Sequence, residues 1–104
     1  MKENKYEIEY SELFTQEVES AFRYIVHDLG NSIAAENLLQ LIDKEIECRR
    51  ENPESYNFFK LERDGMFKWY KINVNNYSIF YTVENNIITM SIFLYSRRKF
   101  DKLI

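Results

Sequence analysis

The sequence predicts an α+β fold in which two helices pack on one face of an antiparallel sheet. Its 104 residues suffice for a single small domain spanning residues 1–104. Apolar residues recur at helical spacing before Pro53 and alternate with polar residues after it, so the hydrophobic period changes once. Helices followed by strands with short connections are typical of an α+β domain.

The N-terminal half predicts a short strand followed by an antiparallel two-helix hairpin. Residues 6–10 alternate apolar and charged side chains, which indicates a half-buried strand. Ser11 is a favourable helix N-cap, and the apolar positions in residues 13–29 follow helical spacing for about five turns. Gly30 suits the left-handed position that ends a helix, and a second apolar stripe follows in residues 35–46. The short connection requires the two helices to run antiparallel.

The C-terminal half predicts a twisted antiparallel meander. The expected strands cover residues 57–61, 67–74, 77–83 and 87–95. Asn75-Asn76 and the run Glu84-Asn85-Asn86 are turn signals between consecutive strands. Strands joined by such short turns pair in antiparallel fashion.

Alternation along these strands assigns side chains to the two faces of the sheet. The face toward the helices is expected to carry Tyr70, Ile72, Val74, Ile79, Tyr81, Val83, Ile88, Met90, Ile92 and Leu94. The opposite face is expected to carry Lys71, Asn73, Ser78, Phe80, Thr82, Thr89, Ser91, Phe93 and Tyr95. Because this second face is nearly uncharged and contains three aromatic residues, we interpret it as a contact surface, although an ordinary face covered by the chain ends would give the same pattern. The assignment assumes strands without a β-bulge, which would exchange the faces from that point on.

Charge is distributed unevenly along the chain. Residues 1–55 carry six Lys/Arg and 13 Asp/Glu, whereas residues 56–104 carry eight and four, so the halves have net charges of −7 and +4. This asymmetry favours a basic working face, although opposite charges that merely solvate different elements would give the same counts.

Several classes of protein do not fit the sequence. No apolar run approaches the roughly 18 residues needed to span a bilayer, and no signal peptide follows the N-terminus, so we expect a cytoplasmic protein with no membrane partner. Cys48 is the only cysteine, which excludes an intramolecular disulfide. Without a His/Cys cluster or a Gly-rich phosphate loop, we expect no metal and no cofactor.

Several segments, in this order and spacing, resemble the RelE/ParE toxins of bacterial type II toxin–antitoxin systems. Residues 24–39 (YIVHDLGNSIAAENLL) look like the family's helix junction "YI…L-N-P-x-A-A-x-x-L-L", with Ser32 where Pro is common. Pro53 matches the Pro that follows the family's second helix. Residues 71–81 (KINVNNYSIFY) look like the hairpin "V-x-N-Y-x-x-F-Y", and residues 94–103 (LYSRRKFDKL) are similar to the tail "L-Y-G-R-R-D-x-x-x-L".

The resemblance implies a microbial-RNase-like fold and a cognate antitoxin that covers the toxin. It also implies one of two activities, because RelE-like members cut mRNA on the ribosome whereas ParE-like members poison DNA gyrase. RNA cleavage needs an acid, a base and cations around one phosphate. The residues that match RelE-like catalytic positions are Lys71 and Arg98, and Tyr95 is a tentative acid–base group. Asn73 and Ser78 stand where many members carry cations, so the catalytic set is incomplete.

Three functions therefore compete at this point. The first is a toxin that binds gyrase, with contacts to the target or antitoxin expected from Arg97, Arg98, Lys99, Phe80 and Phe93. The second is a ribosome-dependent mRNA endonuclease that uses Lys71, Arg97 and Arg98, with Tyr95 as the tentative acid–base group. The third is a non-toxic, degenerate binding member of the family. The tail and the long helical hairpin resemble ParE-like members better, and gyrase poisoning needs no catalytic residues in the toxin.

Overall fold

Two helices cover one face of a five-stranded mixed sheet in the computed structural model, which describes residues 6–60 and 67–95. The elements are β1 (Glu7–Tyr10), α1 (Glu12–Arg23), a π-helical turn (Tyr24–Asp28), α2 (Ser32–Arg49), β2 (Phe58–Phe59), β3 (Trp69–Val74), β4 (Tyr77–Glu84) and β5 (Ile87–Tyr95). The strand order is β1-β5-β4-β3-β2. The predicted α+β fold is confirmed, and its last four strands form the expected antiparallel meander.

β1 makes the sheet mixed, because it pairs with β5 in parallel. The connection between β1 and α1 is short and well bonded. The Ser11 backbone N–H donates to the carbonyl of Met90 at 2.9 Å, which continues the pairing with β5 by one residue. The Ser11 hydroxyl accepts a hydrogen bond from the Phe14 N–H at 3.0 Å, as predicted for an N-cap, and donates one to the carbonyl of Ser91 at 2.8 Å. Ser11 thus ties the first turn of α1 to β5.

The end of the first helix differs from the prediction. A regular α-helix was expected up to Leu29, but α1 ends at Arg23 and continues as the π-helical turn. This turn is wider because the Leu29 N–H donates to the carbonyl of Tyr24, five residues earlier, at 3.1 Å. Gly30 then adopts a φ of 62°, the left-handed conformation predicted for it. Asn31 caps α2 by accepting a hydrogen bond from the Ala34 N–H.

The two hairpin turns of the sheet lie where the asparagines predicted them. Asn75 has a φ of 53°, and Asn85 and Asn86 have φ values of 54° and 64°. Asparagine tolerates this region because its short polar side chain bonds locally, whereas β-branched residues are strained there. The register of the β3–β4 and β4–β5 hairpins is therefore set locally by the turns.

A β-bulge at Ser91 changes the predicted face assignment. Phe80 of β4 lies opposite Ile92, but the next residue, Tyr81, lies opposite Met90, so Ser91 has no partner in β4. The extra residue exchanges the two faces of β5 from that point on. The prediction that Phe93 and Tyr95 lie on the face away from the helices is therefore wrong. The prediction that Ile92 and Leu94 face the helices is wrong for the same reason.

The bulge divides the apolar residues of the sheet between two clusters. The helix-side core contains Phe14, Ile25, Ala35, Leu38, Ile42, Ile46, Tyr70, Ile72, Val74, Ile79, Tyr81, Ile88, Met90 and Phe93. The far-face cluster contains Trp69, Phe80, Ile92 and Leu94, with Phe59 packed against it. At roughly 25 cal/mol per Å² of buried apolar surface, the larger core supplies most of the hydrophobic stabilisation of the described chain.

Candidate functional site

The helical hairpin and one end of the sheet enclose a groove of about 750 Å³. Its helical wall includes Ala21, Tyr24 and Leu29, and its other wall is formed by the β3–β4 turn and the end of β5. Tyr24 and Leu29 remain 51% and 59% exposed, which is unusual for large apolar side chains that lie beside a concave surface. An apolar concave surface of this size is a typical binding site.

Three aromatic rings line the sheet side of this groove. Tyr77 stacks on Phe93 with ring centroids 4.7 Å apart and an interplanar angle of 15°. Tyr95 meets Tyr77 edge-on at 5.7 Å, and Phe93 meets Phe14 of α1 edge-on at 5.9 Å. These contacts anchor the wall to α1. Since rings packed in this way stay in one orientation, the buried Phe93 holds Tyr77 and Tyr95 as a preorganised aromatic wall.

The described residues that line the groove are mostly uncharged. Among them, Glu17 of α1 is the one charged residue, and the polar groups include Ser20, Asn31 and the two asparagines of the β3–β4 turn. This described lining offers mainly apolar area and hydrogen bonds to a ligand.

Lys71 and Tyr95, the two predicted catalytic residues that the structure describes, do not lie in one place. Lys71 is exposed on the face away from the helices, because it lies between the buried residues Tyr70 and Ile72 in β3. Tyr95 lines the groove on the helix side of the sheet. Lys71 pairs with Phe80 across the β3–β4 ladder, so the candidate acid–base group and the candidate cation are separated by the sheet itself.

The predicted contact residues have different environments. Phe80 lies on the predicted far face but is only 5% exposed, within the far-face cluster. Phe93 is 1% exposed in the helix-side core. Arg97, Arg98 and Lys99 lie outside the described residues.

A hydrogen-bonded cluster around Arg49 was not predicted from the sequence. Arg49 donates from Nη1 to the Tyr81 hydroxyl at 2.9 Å and from Nη2 to the Lys71 carbonyl at 3.2 Å. The Tyr81 hydroxyl donates to the carbonyl of Pro53 at 2.8 Å. Burial raises the pKa of Tyr81 above its ordinary value of 10.0, and the hydrogen bond from Arg49 partly opposes this. The cluster fixes the end of α2 and the following loop onto the centre of the sheet. These contacts join residues far apart in the chain, so no local pattern indicated them.

Within residues 6–60 and 67–95, no group of three or more His, Cys, Asp or Glu side chains is arranged to hold a metal ion. Within the same ranges, no helix has both the length and the apolar character needed to cross a bilayer.

The family model described as "ParE toxin of type II toxin-antitoxin system, parDE" matches residues 8–100. This chain belongs to the ParE toxin family. The match covers both helices, the described groove residues and all of the sheet except Glu7, and it confirms the RelE/ParE resemblance of the sequence. No curated protein matches the chain at the level required for comparison.

Solved structures of two toxin–antitoxin systems share the fold of this ParE-family chain. A chromosomal ParDE system from P. aeruginosa superposes with a TM-score of 0.71 at 10% sequence identity, covering 89% of this chain and 98% of that one. An archaeal RelE–RelB complex from Pyrococcus horikoshii OT3 superposes with a TM-score of 0.59 at 15% identity, covering 91% and 99%. At these identities the likeness establishes the fold alone.

Proposed function

We propose that this ParE-family toxin arrests bacterial growth by binding a protein target, DNA gyrase, and that a cognate antitoxin neutralises it by covering the groove. The family membership supports the toxin role, and the two structural relatives are described as a ParDE system and a RelE–RelB complex. The preference for a bound protein target over RNA cleavage rests on one observation, the bulge at Ser91.

The bulge separates the groups that a nuclease would need together. Cleavage of RNA requires acid–base groups within hydrogen-bond reach of one reacting phosphate, with cations beside it. Tyr95 faces the groove on the helix side, whereas Lys71 faces away from the helices. This separation across the sheet supports a bound protein target over a single catalytic site formed by Lys71 and Tyr95. Binding to a protein surface has no such requirement.

The groove is the surface that we assign to the antitoxin. Its exposed Tyr24 and Leu29 and its ordered aromatic wall fit an amphipathic segment that inserts apolar side chains. Such a segment would bury apolar surface that the isolated chain leaves in water, which is the main source of affinity at a packed interface.

The test of the target is tightly induced expression in a bacterial host, followed by assays with purified protein. We expect growth arrest with intact transcripts, inhibited supercoiling by purified gyrase, and arrest by Lys71→Ala that equals the parent. Transcripts cut within codons on ribosomes, together with loss of cutting in Lys71→Ala or Arg98→Ala, would instead establish the nuclease function. Growth without arrest, with soluble protein present, would identify a degenerate binding member.

The antitoxin site is tested by co-expression with the small protein encoded beside the toxin. Tyr24→Ala and Leu29→Ala should each weaken rescue of growth, because both remove apolar area from the rim of the groove. Ile33→Ala is the matched control, since Ile33 is 73% exposed near the same turn but does not line the groove. Equal rescue in all three variants would place the antitoxin elsewhere.

A further inference from the structure

Glu17 places a negative charge on the helical wall of the groove. It lines the groove together with Ser20, Ala21 and Tyr24, which follow at three, four and seven residues along the chain. Residues at this spacing share one face of a helix, so Glu17 lies on the face of α1 that is turned to the groove. Glu17 is partly buried there, whereas Glu19, which does not line the groove, is exposed.

The carboxylate of Glu17 lacks a counter-charge. Among residues 6–60 and 67–95, none forms a salt bridge with it or donates a hydrogen bond to it. Ion-pair partners on a helix lie three or four residues away, and those positions hold Leu13, Phe14, Ser20 and Ala21. Glu19, by contrast, has Arg23 at 4.0 Å, four residues later. Solvent therefore has to stabilise the charge of Glu17 in the free chain.

A partner that covers the groove takes this solvent away. The proposed antitoxin segment packs on Tyr24 and Leu29, and Glu17 lines the same groove. A carboxylate that loses its solvent without gaining a cation or hydrogen-bond donors is strongly destabilised. A purely apolar segment would therefore bind this groove poorly. A segment that brings a cation to Glu17 replaces the lost solvation with a charge-assisted hydrogen bond.

The helical wall also sets where that cation lies in the partner. Glu17 and Tyr24 are seven residues apart, which at about 1.5 Å per residue is roughly 10.5 Å. This distance equals about two turns of a partner helix that lies along α1. It also equals about three residues of extended chain, at about 3.3–3.6 Å each. The partner therefore carries its cation at one of these two spacings from the apolar side chain that meets Tyr24.

We propose that Glu17 selects the antitoxin by pairing with a Lys or Arg of the segment that enters the groove. The inference rests on the proposed function, in which the antitoxin covers this groove, and it adds the charge that the segment must carry. A segment with a carboxylate at that position is rejected by repulsion. One with an apolar side chain there is rejected because Glu17 loses its solvent without compensation.

The first test measures the affinity between the purified toxin and the purified small protein encoded beside it, by isothermal titration calorimetry. Glu17→Gln keeps the size of the side chain and removes its charge. Affinity should fall about thirtyfold, because the antitoxin cation is then covered without its counter-charge. Glu36→Gln is the matched control, since Glu36 is exposed on α2 and does not line the groove, and it should bind like the parent.

A charge exchange identifies the partner residue. Glu17→Lys should weaken binding more than Glu17→Gln does, because it sets two cations against each other. Each Lys and Arg of the antitoxin is then changed to Glu in turn. One of these variants should restore affinity for Glu17→Lys and should itself bind the parent toxin poorly. Glu36→Lys should bind the unchanged antitoxin like the parent.

Chemical denaturation of the free toxin distinguishes pairing with the antitoxin from pairing within the chain, since Arg97, Arg98 and Lys99 lie outside the described residues. Glu17→Gln should leave the denaturation midpoint of the free toxin unchanged. A lower midpoint would show that a cation of the chain itself holds Glu17, which overturns the inference.

The affinities also separate this inference from the proposed function. Weaker binding by Tyr24→Ala together with unchanged binding by Glu17→Gln would overturn the inference and keep the groove as the antitoxin site. Unchanged binding by both variants would place the antitoxin elsewhere, so that the groove assignment and the inference fail together. Failure of every antitoxin variant to restore binding to Glu17→Lys would likewise overturn the pairing.

Discussion

Simple alternation assigns side chains to the correct face of the sheet in the first half of β5 and to the wrong face in the second half. In the first half, Ile88 and Met90 point toward the helices, as simple alternation predicts. In the second half, Phe93 takes that direction, while Ile92 and Leu94 join the far-face cluster. The difference arises from one unpaired residue, Ser91. In β5, the face on which a side chain lies therefore depends on its position relative to the bulge as much as on its residue type.

The bulge also decides what each surface can do. By turning Phe93 and Tyr95 toward the helices, it builds the aromatic wall of the groove. Because the bulge exchanges the two faces, it also leaves Lys71 without an acid–base neighbour from the second half of β5. The functional proposal therefore depends on the difference between the two halves of β5. The variants below test that difference, from the largest expected effect to the smallest.

The largest effect is expected from Phe93→Ala. Phe93 is 1% exposed and contacts both Phe14 and Tyr77, so truncation leaves a cavity in the helix-side core. The free energy of unfolding should fall by about 3–5 kcal/mol, as measured by chemical denaturation. Phe58→Ala is the control with the same chemistry at a 47% exposed position, and it should cost less than about 1 kcal/mol. Similar costs for the two variants would mean that β5 has no bulge.

Tyr81→Phe tests a residue of β4 that pairs with Met90, which precedes the bulge in β5. At this position the predicted face is correct. Loss of the hydroxyl removes the bond from Arg49 and leaves the Pro53 carbonyl without its donor. The expected cost is about 1–3 kcal/mol in chemical denaturation.

The same variant has a distinct pH signature. Because folding raises the pKa of Tyr81 above 10.0, its protonated form stabilises the native state below that pH, and the contribution is lost as the pH rises through the folded-state pKa. Stability of the parent should therefore decline above pH 10, and Tyr81→Phe should decline less steeply. Tyr10 and Tyr70, whose pKa values are also raised, would sustain part of the decline. Parallel curves for parent and variant would argue against a buried, bonded Tyr81.

Ser11→Ala tests the attachment of α1 to the bulge. The substitution removes the N-cap bond to the Phe14 N–H and the bond to the Ser91 carbonyl. Thermal and chemical denaturation should report a loss of about 1–2 kcal/mol. Ser20→Ala, at an exposed position within α1, controls for the loss of a hydroxyl and should change stability by less than about 0.5 kcal/mol. A loss no greater than that of the control would show that the bulge does not depend on Ser11.

The smallest effect is expected from Ser91→Ala. The bulge depends on an extra backbone residue, and among the described residues the Ser91 side chain makes one long hydrogen bond, of 3.3 Å, to the carbonyl of Thr89. The change in unfolding free energy should stay within about 0.5 kcal/mol, while the nuclear magnetic resonance contacts between Phe93 and Phe14 persist. If those contacts disappeared, the side chain rather than the residue count would define the bulge.

The local features of the fold were predictable from the sequence. Ser11, Gly30 and the asparagines of both hairpin turns have conformational preferences that act within a few residues, and each lies where it was expected. The parallel pairing of β1 was not predicted, because strand partners are chosen by tertiary packing. The bulge was not predicted either, because Ile92, Phe93 and Leu94 are all apolar and either face assignment satisfies their pattern.

The site was predictable only in part. Lys71 and Phe80 lie on the face that alternation gave them, while Phe93 and Tyr95 lie on the other. The roles assigned to these residues stay predictions, as do those of Arg97, Arg98 and Lys99. The groove and the Arg49 cluster join residues from distant parts of the chain, and a single sequence contains no local signal for such contacts.

Helix α2 acts as a spacer of fixed length between the groove and the Arg49 cluster. Ala34 and Leu38, near its start, line the groove, whereas Arg49, its last residue, bonds to Tyr81 and to the Lys71 carbonyl. At about 1.5 Å per residue, the 15 steps from Ala34 to Arg49 span roughly 22 Å. An extended chain advances at most about 3.3–3.6 Å per residue, so a partner segment seated beside Ala34 needs at least about seven further residues to reach the Arg49 cluster. A shorter segment covers the groove and leaves the Arg49 cluster uncovered.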